Sequence, residues 1–510
     1  MEKEYNDLKR RGTFKTVPKE EASNEQILPL KWVFKYKFDS NGYLQKLKAR
    51  LCVRGDLQIT EEETYAATLA ARIFRALMAI AAAFDLEIRQ YDAVNAFTNA
   101  KLNKPIYCYC PEGFDQNGQI LELLMALYGL KISPLLWYKE LTNTLTKFGL
   151  KPVPGTNCLY TDGRLIVFFY VDDIAVLFAK KDLPRLEEFE AKLLHRYEIH
   201  ALGDLQWFLG IRIERDRANR KIWLCQDSYI EKIANRFNIQ LERFPKSPLP
   251  AEELIPSEQQ TNPQRTLAYQ QRVGSLAHLA VFGRPDIAKT HSKLAEFLTN
   301  PNQKHLDAAN QAIAYCLGTK STAIEYSGEA YGAHVYFKNP EGEDITFYGA
   351  SDAAFADHKE TRRSSQGYLF VLFGGLIDWK ATLQRSVTRS TTEAELLSLS
   401  TAAVEIIWWQ RFFEAINLNL EREFTLLCDN MQTVRLLRQD TPKLDTKLRH
   451  IDVHQHWLRQ EVQDKKIDVQ WVPTAKMPAD GLTKILPHQK HEAWIKQLNL
   501  VDIRHQITNK

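Results

Sequence analysis

Tyr170-Val171-Asp172-Asp173 sets two adjacent carboxylates inside an otherwise apolar stretch that runs from Leu165 (LIVFFY) through to Phe178 (IAVLF). Runs of that length rich in Ile, Val and Phe read as two buried strands, and a hairpin turn between them would deliver both acids to one exposed tip. An apolar core does not accept naked carboxylates; a buried ionised acid must be paired, protonated or bound to a cation. One reading is therefore a Mg²⁺ site at the tip, and the other is a solvated Asp-Asp turn of the kind common in hairpins.

At 510 residues the chain is too long for one core. Apolar content of 45% and charged content of 25% make it globular rather than disordered. A net charge of only +4 means that any nucleic-acid surface must come from local clustering. The seven cysteines show no paired metal spacing. Cys108-x-Cys110, the closest pair, puts two small residues on one strand face, which argues against zinc or a disulfide framework. The polar start MEKEYNDLKR carries no secretory signal, and no segment approaches the ~18 uninterrupted apolar residues of a membrane span. The expectation is a reducing, intracellular compartment without membrane contact.

Between Lys31 and Arg54 the pattern alternates. Trp32, Phe34, Tyr36 and Phe38 share one face and Lys31, Lys35 and Lys37 the other, followed by turn chemistry at Asp39-Ser-Asn-Gly42. The return strand sets Leu47, Ala49, Leu51 and Val53 against Lys46, Lys48, Arg50 and Arg54. The result is a ribbon with an apolar face and a face of seven cations, read either as a phosphate contact or as a solvated hairpin surface. Residues 66–86 read as a packed helix, followed by a strand into Asp92. Lys139–Phe148 and Leu183–Tyr197 read as amphipathic helices, the second opened by Pro184. Residues 239–265 are a proline-bearing loop or joint. Residues 266–317 are helical in pattern, broken at Gly283-Arg-Pro-Asp286. From about residue 344 the order becomes strand, strand, strand, helix, strand, helix, helix, strand, helix, a mixed α/β layer with its own core. Ser390-x-x-Glu393 there suggests a capping box.

Two sets of acids stand at element ends. Asp92 closes the strand IRQYDAVNAF, so it and Asp172-Asp173 can converge at one sheet end. Three carboxylates can hold two divalent cations ~3.5–4 Å apart, one acting on an attacking hydroxyl and one on the departing oxygen. In the second half Asp352 lies in the first strand, Glu395 near the start of the main helix, Asp429 at the end of FTLLCD, and Asp480 opens the last helix. Each alone is an ordinary strand-end or helix-start acid. Together they would form a second metal site, suited to water attacking a phosphodiester.

With these residues in place, the chain resembles the reverse transcriptase plus ribonuclease H portion of copia-type LTR retrotransposon polyproteins, over residues 20–490. The resemblance rests on the order and spacing of KWVFKYK, KLKARLCVRG, QYDAVNAF, PEGF, LYGLKISPLLWY, YVDD, LGDLQWFLGIRI, VGSLAHLA with GRPDIA, SDA with TRRSSQGY, STTEAE, CDN, RHIDVHQH and PTAKMPADGLTK. It implies an α+β architecture. A right-hand polymerase fold would hold fingers and palm in residues 1–225 and a mostly helical thumb and connection in 226–343, with a ribonuclease H-like mixed-sheet domain in 344–510.

The resemblance further implies that Asp92, Asp172 and Asp173 form the polymerase acid set, with Asp92 and Asp172 the principal metal ligands. Phe97 matches a steric gate against a 2′-hydroxyl, and Lys48 and Arg50 match fingers residues that meet the incoming triphosphate. Tyr128, Gly129 and Lys131 to Pro134 match the segment beneath nucleotide and template, and Leu209 and Gly210 the grip on the primer end. Asp352, Glu395, Asp429 and Asp480 match the ribonuclease H acids; His450 and His454 read as exposed helix histidines. Implied cofactors are two Mg²⁺ per site, with Mn²⁺ the alternative ion. Implied partners are an RNA template, a DNA primer, RNA:DNA hybrid and deoxynucleoside triphosphates, with integrase or a second copy of the chain as further candidates. Cytoplasmic virus-like particles are the implied location.

Two departures from the family pattern stand out: Ala66-Ala67-Thr68 replaces a Ser/Ala-Pro pair, and Ala100 replaces a glycine. Neither removes a metal ligand; both bear on local turn geometry. Capsid, protease and integrase motifs are missing, so the expectation is a fragment, a processed product or a truncated copy. Competing readings are a decayed or co-opted nucleic-acid binder and a plain nuclease.

Overall fold

The computed structural model describes residues 1–23, 25–38, 43–114, 118–328, 345–420, 424–438 and 449–508, without the side chains of 37–38, 449–452 and 508. The chain forms two compact units, Met1–Leu69 with Glu87–Asp204, and Ala70–Leu86 with Leu205–Lys510.

In the first unit a six-stranded antiparallel sheet runs in the order Ile199–Asp204, Glu87–Ala93, Asp173–Phe178, Leu165–Tyr170, Leu159–Thr161 and Lys151–Pro152. Val167, Phe168, Ile174, Ala175, Val176 and Leu177 are all fully buried. Burial on both faces is the reason these strands read as continuous apolar runs. Helix Ser133–Lys147 buries Leu136, Trp137, Leu141 and Leu145, and helix Leu183–Arg196 buries Leu186, Phe189 and Leu193 at helical spacing. Both carry proline in the first turn, where the missing N–H costs nothing.

A four-stranded sheet ordered Phe14–Pro18, Gln119–Met125, Lys101–Tyr109, Ile27–Leu28 packs a core of Leu8, Phe14, Leu28, Leu51, Cys108 and Leu121. The ribbon Leu30–Phe38 with Leu44–Val53 pairs Trp32 with Leu51, Phe34 with Ala49 and Tyr36 with Leu47, and Val33 with Arg50 and Lys35 with Lys48. Its two faces are therefore segregated as the alternation predicts. The apolar face does not enter a core along its whole length: Leu51 and Val53 are buried at the base, while Phe34, Tyr36 and Leu47 are 59%, 65% and 67% exposed.

The second unit opens with helix Ala71–Ala83. It starts later than the predicted 66 because Ala70 is extended, and because the Cys158 thiol, at 3.3 Å from the Ala67 carbonyl, ties the preceding stretch to the first unit's own sheet. The helix buries Arg75, whose guanidinium donates to the carbonyls of Ile377 and Val281, both at 2.7 Å. A five-stranded sheet follows, Trp207–Phe208, Ile211–Asp216, Lys221–Cys225, Thr322–Ser327 and Leu500–Asp502. Helices Asp227–Arg236, Pro263–Phe282, Ala288–Ala295 and Gln303–Gly318 enclose one apolar core. The Gly-Arg-Pro-Asp break is a buried ion pair, Arg284 with Asp286 at 2.7 Å.

The C-terminal sheet has the order Gly375–Leu383, Ser365–Leu372, Phe347–Ala354, Phe424–Cys428, Ile467–Trp471. The first three strands are antiparallel, and the last two run parallel to Phe347–Ala354. Helix Thr391–Ala415 packs on Phe347–Ala354, with Trp409 and Phe413 against Phe347 and the Ser398 hydroxyl donating to the Asp352 carbonyl at 2.8 Å. This 3-2-1-4-5 mixed sheet with its long crossover helix is a ribonuclease H-like layer. Among the described residues no helix is long and apolar enough to cross a membrane, and all seven cysteines are free thiols.

Candidate active sites

Strand register brings the first acid set together. Asp92 pairs directly with Asp173 across neighbouring strands, and His200 lies opposite Asp92 on its other side. Tyr170 pairs with Asp173, so Val171 and Asp172 form a two-residue hairpin loop. Val171 sits at φ 59, a left-handed conformation that costs a β-branched residue on the order of 1–3 kcal/mol and that such loops usually give to glycine. Two hydrogen bonds hold it there. The buried Trp137 indole N–H donates to the Val171 carbonyl at 2.6 Å, and the Ala93 N–H donates to the Asp172 carbonyl at 3.0 Å. Burial pushes the Asp173 carboxyl up to about 6, with Asp172 and Asp92 adding to the rise and Gln90 opposing it. Three carboxylates on a pinned backbone, two of them raising the third, could hold a cation.

Phe97 is half-buried and meets Tyr128 edge-on, with ring centroids 4.8 Å apart. Ala100 is extended at φ −104, so alanine in place of the family glycine introduces no strain. The Arg50 guanidinium lies 4.2 Å over the Tyr128 ring, and its buried Nε has no hydrogen-bond partner among the described residues. Burial pushes the Tyr128 hydroxyl up to about 12; Arg50 opposes the rise and Asp172 and Asp92 reinforce it, so these residues share one local field. Lys48 is half-buried beside Lys35 in register. The Lys131 ammonium is committed to the Gln58 carbonyl at 2.7 Å.

Gly129 has φ +93, and a Cβ there would stand 2.1 Å from the Val53 carbonyl oxygen; a Cβ on Gly55 would stand 1.9 Å from the Gly129 oxygen. The Val53 N–H donates to the Tyr128 carbonyl at 2.7 Å, so the ribbon base and the Tyr128-Gly129 segment touch backbone to backbone. Gly129→Ala is expected to destabilise the protein by about 3 kcal/mol or more, through a clash and a strained φ together. Chemical denaturation checks this, and a loss under about 1 kcal/mol would show that the gap relaxes.

Leu209 and Gly210 belong to the second unit. Phe208 pairs with Ile211, leaving Leu209 (φ 55) and Gly210 (φ 72) as a two-residue turn with both φ values positive. That geometry suits Asn-Gly, and leucine in the first place is unusual.

The second acid set converges within the second unit. Asp352 (1% exposed), Glu395 (6% exposed) and Asp429 each offer a carboxylate oxygen within 4.8 Å of the others, and no other three-residue cluster this tight occurs among the described residues. Asp352 comes from strand Phe347–Ala354, Asp429 directly follows strand Phe424–Cys428, and Glu395 is the fifth residue of helix Thr391–Ala415. That helix is capped by the Ser390 hydroxyl, which accepts from the Glu393 N–H. The return arm of the expected capping box goes instead to the Arg389 N–H at 2.7 Å. Burial raises the Asp352 and Glu395 carboxyls, Glu395 the more; Lys484 and the Thr483 hydroxyl ease the rise at Asp352 while Asp429 and Asp480 add to it, and Asp352 and Asp429 add to the rise at Glu395. The Glu395 Oε2 has no hydrogen-bond partner among the described residues. Asp429 accepts from the Thr474 hydroxyl at 2.8 Å.

Asp480 opens the one-turn helix Asp480–Thr483 and stands outside the tight three, paired with Lys484. Sequence reasoning missed Thr483, which donates its hydroxyl to Asp352, and Lys484, whose ammonium is 3.6 Å from the same Asp352 oxygen. It also missed Arg362, Arg363, Arg385 and Arg389, all exposed on two loops that Ser364 ties together through Thr388 at 3.1 Å and Gln384 at 2.8 Å. The doubled arginine of TRRSSQGY was the available signal. His454 is exposed and shares a 2.8 Å hydrogen bond with Ser400; the His450 side chain lies outside the described residues.

A sheet end with paired acids, followed along the chain by a ribonuclease H-like layer with its own acid set, makes this an α+β protein with two carboxylate centres. Residues 13–249 match the family model described as "Reverse transcriptase (RNA-dependent DNA polymerase)". The retrovirus-related Pol polyprotein from transposon TNT 1-94 of Nicotiana tabacum is 32% identical over 96% of this chain, which spans 37% of that relative's length. The putative transposon Ty5-1 protein of Saccharomyces cerevisiae is 31% identical over 62% of this chain and is covered completely. A solved foamy viral protease-reverse transcriptase in complex with double-stranded DNA gives a TM-score of 0.47 at 14% identity, over 92% of this chain and 68% of that one. The chain belongs to the reverse transcriptase family of copia-type retrotransposon Pol polyproteins.

Proposed function

We propose that the chain is an RNA- and DNA-templated DNA polymerase joined to a ribonuclease H that cuts the RNA strand of RNA:DNA hybrids. The observation that carries this reading is the register pairing of Asp92 with Asp173 beside the pinned Asp172, in a chain of this family. In this reading residues 1–225 serve as fingers and palm, 226–343 as thumb and connection, and 344–510 as the nuclease.

Both acid sets fit Mg²⁺, which takes oxygen ligands and keeps waters and phosphate oxygens; Mn²⁺ fits the same donors. The buried, unpartnered Glu395 Oε2 and the mutual repulsion of each set support the fit. Asp92, Asp172 and Asp173 would hold the ions of the first site, and Asp352, Glu395, Asp429 and Asp480 those of the second. When bound, such ions activate an attacking hydroxyl or water and stabilise the departing oxygen.

The chain's own side chains do the rest. Phe97, braced edge-on by Tyr128, fills the space a 2′-hydroxyl would need. Arg50 and Lys48 neutralise the triphosphate of a deoxynucleotide lying over Tyr128 and Gly129. By the family resemblance, Leu209 and Gly210 would grip the primer end. Arg362, Arg363, Arg385 and Arg389 meet strand phosphates beside the second site, so hybrid recognition rests on backbone and shape rather than base edges. Integrase segments or a second copy of the chain are further partners in this reading.

Purified chain is expected to extend a DNA primer on an RNA template in Mg²⁺ and to cleave the hybrid it makes. Hybrid affinity is expected to fall about 10³-fold between 50 and 200 mM salt, as for a binder neutralising several phosphates. Hybrid cleavage without extension would favour a plain nuclease. Salt-dependent binding with neither activity would favour a decayed, binding-only copy.

A further inference from the structure

We propose that Lys484 is a resident cation of the second acid site. Its ammonium holds the place of a second divalent ion, so that without nucleic acid the site binds one ion tightly and not two. The proposal rests on the reading of Asp352, Glu395, Asp429 and Asp480 as metal ligands.

The four acids divide into a pocket and an outlier. Asp352, Glu395 and Asp429 offer oxygens within 4.8 Å of one another, and Glu395 contributes a buried Oε2 with no hydrogen-bond partner among the described residues. That is one seat of all-oxygen donors, open to one hard cation. Asp480 is not part of it. Its carboxylate is taken by Lys484, four residues on, in the spacing that makes side chains neighbours on a helical turn. The same ammonium lies 3.6 Å from Asp352 Oδ2, so it bridges the two acids that would otherwise share a second ion.

The two neighbours on this turn differ in freedom. Thr483 is 1% exposed and fixed, its hydroxyl on Asp352. The Lys484 side chain is 40% exposed, on a flexible four-carbon stem whose tip can reach water. An ammonium and a divalent ion repel each other and cannot both occupy the gap between Asp352 and Asp480. A second ion can therefore enter only when Lys484 swings out. Once released, its ammonium is free to meet a strand phosphate.

The test counts ions rather than turnover. Mn²⁺ is titrated into the full chain carrying Asp92→Asn and Asp172→Asn, which silences the first site, with calorimetry and the electron paramagnetic resonance of free Mn²⁺ as readouts and no nucleic acid present. The parent is expected to take up one ion. Lys484→Met and Lys484→Gln are expected to take up two, the second at least tenfold more tightly than in the parent, and Lys484→Arg to stay at one. Lys484→Gln keeps a donor for Asp480 and guards against a methionine variant that fails to fold, which circular dichroism checks. A parent that already binds two ions, or neutral variants that bind like the parent, would overturn the proposal. Asp429→Asn in the same background tests the acid pocket apart from Lys484. It should abolish the single ion; if the ion stays, the acid set is not the metal site and the Lys484 proposal falls with it.

Discussion

Asp172→Asn is expected to lower Mg²⁺-dependent primer extension by at least about 10³-fold while hybrid cleavage stays within about twofold of the parent. The substitution is isosteric, and the part of Asp172 that the fold uses is its backbone carbonyl, which accepts from the Ala93 N–H and is untouched. The Trp137 bond to Val171 also survives, so the strained hairpin keeps its shape. What is lost is charge at the tip, hence the grip on a cation and the stabilisation of charge developing on phosphate. Asp173→Asn should cost less. Its carboxyl is already pushed up to about 6 by burial and by Asp172 and Asp92, and in the family assignment it is not a principal ligand. Single-nucleotide incorporation on a primed RNA template measures the first effect, and cleavage of a labelled hybrid the second. Retention of extension by Asp172→Asn would remove the hairpin from the chemistry. Loss of both activities would point to a folding defect instead.

The acid hairpin was legible because two buried strands leave only two residues for their turn, and a run of apolar residues broken by acids shows where that turn is. Asp92 was legible for the same reason, as the polar end of an apolar strand. The ribbon's two faces followed from strict alternation, and the pairing of Trp32 with Leu51 and Lys35 with Lys48 realises it. How far the apolar face is covered was not legible, since alternation says which residues share a face and nothing about what lies over it. Position 66 looked helical because alanine favours helices anywhere, whereas the true start at Ala71 is set by a tie from Cys158 to Ala67. The Leu209-Gly210 turn gave no local signal, because leucine is not a residue that such turns advertise. Strand Leu500–Asp502 is three residues long and exists only because Thr322–Ser327 offers it an edge. Lys484 was invisible for a related reason. On the chain it is one of many lysines, and only the fold sets it against Asp352, more than a hundred residues away.

Asp352→Asn is expected to abolish hybrid cleavage, by about 10³-fold or more, and at the same time to raise the unfolding midpoint of the metal-free protein by a few degrees. The two effects share a cause. Asp352 is 1% exposed and is raised by burial, a rise that Lys484 and the Thr483 hydroxyl ease and that Asp429 and Asp480 add to; Glu395, 6% exposed, is raised further by its burial and by Asp352. Between the ordinary carboxylate values and these raised ones the native state binds more protons than the unfolded chain. Metal-free stability must then fall as pH climbs above about 4 to 5 and the native acids are made to ionise. An asparagine at 352 removes one charge, can still accept the Thr483 hydroxyl, and can turn its amide toward the unpartnered Glu395 oxygen. The relief is on the order of 1–3 kcal/mol, and the pH dependence should flatten with it. Saturating Mg²⁺ should reverse the ranking, because an ion that binds the native parent stabilises it by mass action and has lost a ligand in the variant. Thermal unfolding from pH 5 to 8, in chelator and in Mg²⁺, reads all of this in one series. If the parent is the more stable protein in chelator, the acids are not repelling one another in the folded state, and the physical case for a metal seat at Asp352, Glu395 and Asp429 fails.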